Sequence, residues 1–138
     1  MSDLKSTAEA FFEACETGKG AEACAEYMHD GATFSAQSEP IAEITTLAGY
    51  CDWMKGLLTI LEDGGYEIKA FAMDDDRGHA VVYGVFSGTH TGEGGPVPAT
   101  NKSTASDYVY DIVFTDGKIS HMTKIWNAPW AMKELGWA

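Results

Sequence analysis

The chain has 138 residues, 45% apolar and 22% charged, a balance that fits one folded domain with one core and excludes a disordered tract. A formal net charge of −12 argues against nucleic acid or an anionic membrane surface as a partner, because both favour a basic face. Three cysteines without CxxC spacing fit a reduced, cytoplasmic setting better than a disulfide framework. With no apolar signal core and no run of ~20 apolar residues, the chain reads as soluble and not exported.

In chain order, residues 3 to 17 predict a helix, because Leu4, Ala8, Phe11, Phe12 and Cys15 recur at helical spacing and Gly18 can stop it. A second short helix is expected from about Ala21 to Met28. A short strand follows from Ala32 to Gln37 and is broken by Ser38-Glu39-Pro40. A third helix spans about Thr46 to Glu62. Its apolar stripe is Leu47, Tyr50, Met54, Leu57, Leu58 and Leu61, with Thr45 or Thr46 as cap and Gly64-Gly65 as terminator.

From Tyr66 the pattern alternates. Tyr66 to Met73 and Gly78 to Thr89 read as strands around Asp74-Asp75-Asp76-Arg77, an acidic triplet that reads as a solvated turn rather than a metal loop. The stretch Gly88 to Lys102, GTHTGEGGPVPATNK, holds too much Gly and Pro for regular structure, and loops of that length often form functional lids or mouths.

Residues 103 to 127 read as a long antiparallel hairpin around Asp116-Gly117, a strong two-residue turn signal. With Thr115 facing Lys118 and no irregularity, Asp111 lies opposite Met122, Val109 opposite Lys124 and Asp107 opposite Trp126. One face then carries Asp107, Val109, Asp111, Val113, Ser120, Met122, Lys124 and Trp126. The other carries Tyr108, Tyr110, Ile112, Phe114, Ile119, His121, Thr123 and Ile125, and is expected to pack in a dimer interface. Asn127 caps a last short helix with Pro129 in its first turn and Gly136 past its end.

Helices first and antiparallel strands after them indicate an α+β domain, a cone-like curved antiparallel sheet covered on one face by the N-terminal helices. The order resembles the nuclear transport factor 2-like superfamily, in its SnoaL-like polyketide cyclase and ketosteroid isomerase-like branch. Three passages carry the resemblance: EYMHDGATFSAQ from Glu26 to Gln37, the GTHTGEGGPVPATNK loop, and DGKISHMTKIW from Asp116 to Trp126. The resemblance implies a single domain over residues 1–138 with a cystatin-like α+β barrel; a curved sheet half covered by helices leaves a conical pocket at its open end, and the aromatic sheet face is expected to form a homodimer. Isomerase-like relatives carry a first-helix Tyr and a first-strand Asp, where this chain has Phe11 and, at about the matching position, Ala36. Cyclase-like relatives carry an Asp shortly after the final Trp, where this chain has Asn127, Ala128 and Pro129.

Asp111 is the first candidate for catalysis and Asp107 the second, because a carboxyl among apolar groups in a pocket suits proton transfer near neutral pH. The competing reading of Asp111 is a cross-strand pair with Lys124, worth little if exposed. Lys124 would orient a carbonyl or anionic group, or simply neutralise the acids. Trp126, Met122 and Trp53 would form wall, and His90 sits in the loop at the mouth. His29, His79, His90 and His121 show no metal-ligand spacing, so no metal and no cofactor are expected. Two functions follow. One is a cofactor-free acid/base enzyme, of isomerase, cyclase or dehydratase type, acting on a small apolar carbonyl compound. The other is a non-catalytic ligand-binding or dimeric association domain with the same fold.

Overall fold

The computed structural model describes residues 3–138. Helix α1, Leu4–Glu16, starts at Asp3, whose carboxylate accepts from the Ser6 backbone N–H. Its apolar stripe, Ala8, Phe11, Phe12 and Cys15, is buried. Helix α2, Gly20–Cys24, is shorter than expected and runs into a single 3₁₀ turn, Ala25–Tyr27. The first strand, β1, begins four residues early and spans Met28–Ala36. Helix α3, Leu47–Ile60, is capped by Thr46, whose hydroxyl accepts from the Gly49 N–H. Strands β2 (Gly65–Asp74), β3 (His79–Thr89), β4 (Ser103–Thr115) and β5 (Lys118–Trp126) follow. Helix α4, Ala128–Leu135, is capped by Asn127 and closed by Gly136 in the left-handed conformation.

The curved, open sheet runs β1-β5-β4-β3-β2. Its neighbours are antiparallel except that β1 lies parallel to β5. The helices cover one face. Phe12 packs between the rings of Tyr108 and Tyr110 on β4 and Tyr66 on β2, with centroids 6.3, 5.3 and 5.1 Å away.

The last hairpin turns at Asp116-Gly117, both at positive φ, as a primed turn requires. Its register differs from the even pairing expected. Phe114 faces Ile119, but Val113 faces His121, so Ser120 is an extra residue, a bulge. The Ser120 hydroxyl donates to the Val113 carbonyl there. Beyond the bulge every pair moves by one: Ile112 faces Met122, Asp111 faces Thr123, Tyr110 faces Lys124 and Tyr108 faces Trp126. One inserted residue exchanges the faces of everything after it relative to the partner strand. The buried face therefore joins Tyr108, Tyr110, Ile112 and Phe114 with Ile119, Met122 and Lys124. The tyrosine face expected at a dimer interface is the core, and Asp107 and Asp111 point the other way.

Candidate active site: an apolar cone with a buried proton relay

Between the helices and the sheet lies a cavity of about 460 Å³. Helix α3 contributes Trp53, Leu57 and Ile60, and Leu61 follows it. The sheet contributes Phe86 and Trp126, and the C-terminal segment contributes Ala131, Met132, Leu135 and Trp137. The mouth is bounded by Gly94, Gly95 and Pro96 of the irregular strap between β3 and β4. Among the described residues, Thr104 and Ser106 are the only hydroxyl-bearing lining residues, and both are engaged: Thr104 donates to Glu134, and Ser106 accepts from the Trp126 indole N–H. Such a wall takes a molecule with much ring or hydrocarbon surface and few polar groups.

A second, water-sized hollow of about 20 Å³ adjoins it and shares Leu57, Phe86 and Trp126 with it. Glu16, Tyr108 and Lys124 also line the hollow. Glu16 is 2% exposed and Lys124 6% exposed. Charged groups are almost never so buried unless they are partnered. Here the partners are phenols. Lys124 Nζ donates to Tyr50 Oη at 2.8 Å. The Tyr50 and Tyr110 hydroxyls are hydrogen-bonded to each other, and Tyr110 donates to Glu16 Oε2. Tyr108 donates to Glu16 Oε1 at 2.6 Å. Because an ammonium donates only and Tyr110 donates to the carboxylate, the bonds from Lys124 through Tyr50 and Tyr110 all point toward Glu16.

Ring faces surround the Lys124 ammonium, with Trp126 at 4.5 Å and Tyr50, Trp53, Tyr108 and Tyr110 between 5.1 and 5.8 Å from their centroids. No carboxylate forms a salt bridge with it among the described residues. Burial pulls its pKa down to about 8, against the opposing pull of Glu16. Burial likewise pushes the Glu16 pKa up, and Lys124 and the two phenol donors only partly offset it. The two shifts converge, so the charged pair and the neutral amine–acid pair lie closer in energy than in water.

The sequence candidates separate. Trp126 and Trp53 line the cavity, and Lys124 lines the small hollow beside it. Met122 is fully buried in the core but does not line it. His90 is fully buried behind the strap, against Gly95. Its Nδ1 accepts from the Trp137 indole N–H at 2.8 Å and from the Thr100 backbone N–H at 3.4 Å. The ring proton therefore sits on Nε2, which has no partner, alone among the buried side-chain N and O atoms of the described residues.

Asp111 and Asp107 are not in the pocket. Asp111 accepts from, or pairs with, His79 Nδ1 at 2.7 Å on the outer sheet face, and Asp107 accepts from the Tyr83 hydroxyl at 3.0 Å. Tyr108, Tyr110, Ile112 and Phe114 take the inner face of β4, which leaves both acids outside, and the Ser120 bulge puts Lys124 beside Tyr110 instead of beside them. His121 also lies outside, hydrogen-bonded to Thr33, Ser35 and Thr123. The acid that does lie inward, Glu16, has no part in the sequence expectations. Its signal is readable: Ala8, Phe12 and Glu16 follow at four-residue steps, which places a carboxylate on the apolar stripe of α1.

Among solved structures, AclR from Streptomyces galilaeus, a proposed hydroxylase, is 18% identical, with a TM-score of 0.78 over 99% of this chain and 82% of that one. IdmH from Streptomyces antibioticus, a proposed polyketide cyclase, is 17% identical, with a TM-score of 0.75 over 97% and 99%. TerC, crystallised with polyporic acid, is 14% identical, with a TM-score of 0.71 over 97% and 99%. At such identities the likeness is one of fold. A sequence comparison with curated proteins finds no match. The SnoaL-like domain family, however, matches residues 8–122, most of the chain, and to that family the chain belongs.

Proposed function

We propose that the cone binds a small, largely apolar carbonyl compound and that Glu16 and Lys124 move protons on it, without a cofactor, in a reaction of isomerase, cyclase or dehydratase type. The observation that carries this reading is the buried Lys124–Tyr50–Tyr110–Glu16 relay beside an apolar cavity of about 460 Å³. A carboxyl with a raised pKa is a suitable proton carrier near neutrality, and a lysine with a lowered one can hold a carbonyl oxygen by hydrogen bond. The crystallised complex of TerC with polyporic acid lends support from the same fold.

The test is solvent deuterium exchange at the α-carbons of 2-tetralone, two fused rings bearing one ketone, followed by NMR. Wild type should speed exchange above buffer. Glu16→Gln should remove most of that gain, by the 10²–10⁴-fold typical of a lost acid/base group. Asp111→Asn should leave it intact. Quenching of the cavity tryptophans without exchange would favour the second reading, a non-catalytic ligand-binding domain. The engagement of both charges by the protein's own phenols is the feature consistent with that alternative.

We also propose that two copies pair through the outer sheet face. Val81 and Ile125 are exposed there, Ile125 by 63%, on the side opposite the helices.

A further inference from the structure

We propose that Lys124 is a nucleophile, forming an imine with an aldehyde or ketone bound in the cone. The proposal rests on the binding reading above and deepens it. Four features of the geometry point to it. Lys124 Nζ has one hydrogen-bond acceptor, Tyr50, for three possible donors. Lys124 lines a hollow with room for one water, and that hollow shares three wall residues with the large cavity. No carboxylate ion-pairs it among the described residues, so no direct partner locks the ammonium form. A relay of two phenols connects it to a buried carboxylate that can take its proton.

The step balances within these groups. The ammonium proton passes to Tyr50, Tyr50 passes its own to Tyr110, and Tyr110 passes its own to Glu16. The result is a neutral amine at Lys124 and a neutral acid at Glu16. The amine lone pair forms a C–N bond at the carbonyl carbon, and the carbonyl π electrons go to oxygen. That oxygen takes a proton from Glu16 through Tyr108, whose hydroxyl is bonded to Oε1. The nitrogen, which then bears two protons, returns one through the relay to Glu16, and Glu16 passes a proton through Tyr108 to the hydroxyl oxygen; water departs and the nitrogen keeps its other proton, leaving a protonated C=N beside the Glu16 carboxylate. Overall, amine and carbonyl give imine and water, with no oxidant or reductant. The lowered lysine pKa, about 8, supplies free amine at moderate pH.

The other lysines, Lys5, Lys19, Lys55, Lys69, Lys102, Lys118 and Lys133, are all exposed and serve as internal controls. The experiment incubates the full chain at pH 8 with 2-naphthaldehyde and sodium cyanoborohydride, which traps an imine as a secondary amine. Peptide mapping then locates the mass of the aldehyde less its oxygen. The expected result is labelling of Lys124 at least tenfold faster than of any exposed lysine, and protection of Lys124 by excess naphthalene, which fills the cone without reacting. Lys124→Arg, which keeps the charge, should lose that adduct and leave the slow surface labelling unchanged.

Label confined to the exposed lysines, while the aldehyde quenches the cavity tryptophans, would overturn the imine. In that case Glu16-dependent exchange of 2-tetralone would still stand or fall by itself. Absence of both quenching and labelling would overturn the imine together with the binding reading beneath it.

Discussion

At the residue scale, the decisive feature is a lysine and a glutamate that burial forces toward neutrality. The lowered Lys124 pKa has a thermodynamic sign. Below about 8 the ammonium is charged both folded and unfolded, and the fold bears the cost of burying it. Between about 8 and the unfolded value near 10.5, the unfolded chain binds more protons, so stability rises with pH. Wild type should therefore gain stability relative to Lys124→Met across that window, by up to roughly 3 kcal/mol, as read by urea unfolding at stepped pH. The tyrosines are present in both proteins, so their ionisation cancels in the difference. A flat difference would mean that Lys124 is hydrated in the fold.

The two buried charges should also be coupled. Glu16→Gln and Lys124→Met each leave a partner uncompensated, at a cost of roughly 1–3 kcal/mol apiece. The double variant should lose less than the sum, by at least about 1 kcal/mol in a double-mutant cycle. Glu16 was legible in the sequence as a carboxylate on an apolar helical stripe. What a single sequence lacks is the distance that joins it to Lys124, 108 positions away by number and one relay away in space.

At the element scale, local chemistry and long-range pairing differ in how far they can be read. The Asp116-Gly117 turn, the Thr46 and Asn127 caps and the Gly136 stop are encoded within a few residues each, and all are found where the residues put them. The bulge at Ser120 is not encoded that way. A serine in a strand carries no mark of being unpaired, and an even register is the default assumption. The alternation of Tyr108, Tyr110, Ile112 and Phe114 is itself enough to mark a core face. Combined with Ile119 and Met122, three residues apart on one strand, it demands an extra residue between them.

The strap from His90 to Lys102 is the other element of consequence. It is irregular but held at its ends: His90 N–H donates to the Lys102 carbonyl, Gly92 N–H to the Ile60 carbonyl, and Thr89 to Asp63. A Cβ on Gly92 would sit 2.1 Å from the Thr59 carbonyl oxygen. Gly92→Ala should thus push the strap off α3 and cost roughly 1–3 kcal/mol. Faster hydrogen exchange at the residue 92 amide and weaker 2-tetralone binding should accompany it. Unchanged exchange there would show that the strap is not anchored by this contact.

At the scale of the whole molecule, the fold divides its two faces by chemistry. The inner face builds the cone and the relay. The outer face carries Val81 and Ile125 beside the His79–Asp111 pair. If copies pair through that face, Ile125→Lys together with Val81→Lys should convert a species of twice the chain mass to one of single mass in light scattering, with tetralone exchange retained. A wild type that is already monomeric would remove the outer face as an interface. The architecture was legible from the order of elements, because helices followed by alternating strands have few ways to bury their apolar faces. Which face of its strand Lys124 takes was not, since it depends on one bulged residue.

Catalysis in the cone turns on where a carbonyl ligand sits. The most direct measurement is a crystal structure of the protein soaked with 6-bromo-2-tetralone, located by the anomalous signal of bromine. The expected result places the rings between Trp53, Trp126 and Trp137, with the carbonyl carbon directed to Lys124 and within reach of Glu16 and Tyr108. Bromine on the outer sheet face near Asp111, or a cone that stays empty while the protein still exchanges tetralone protons, would contradict it.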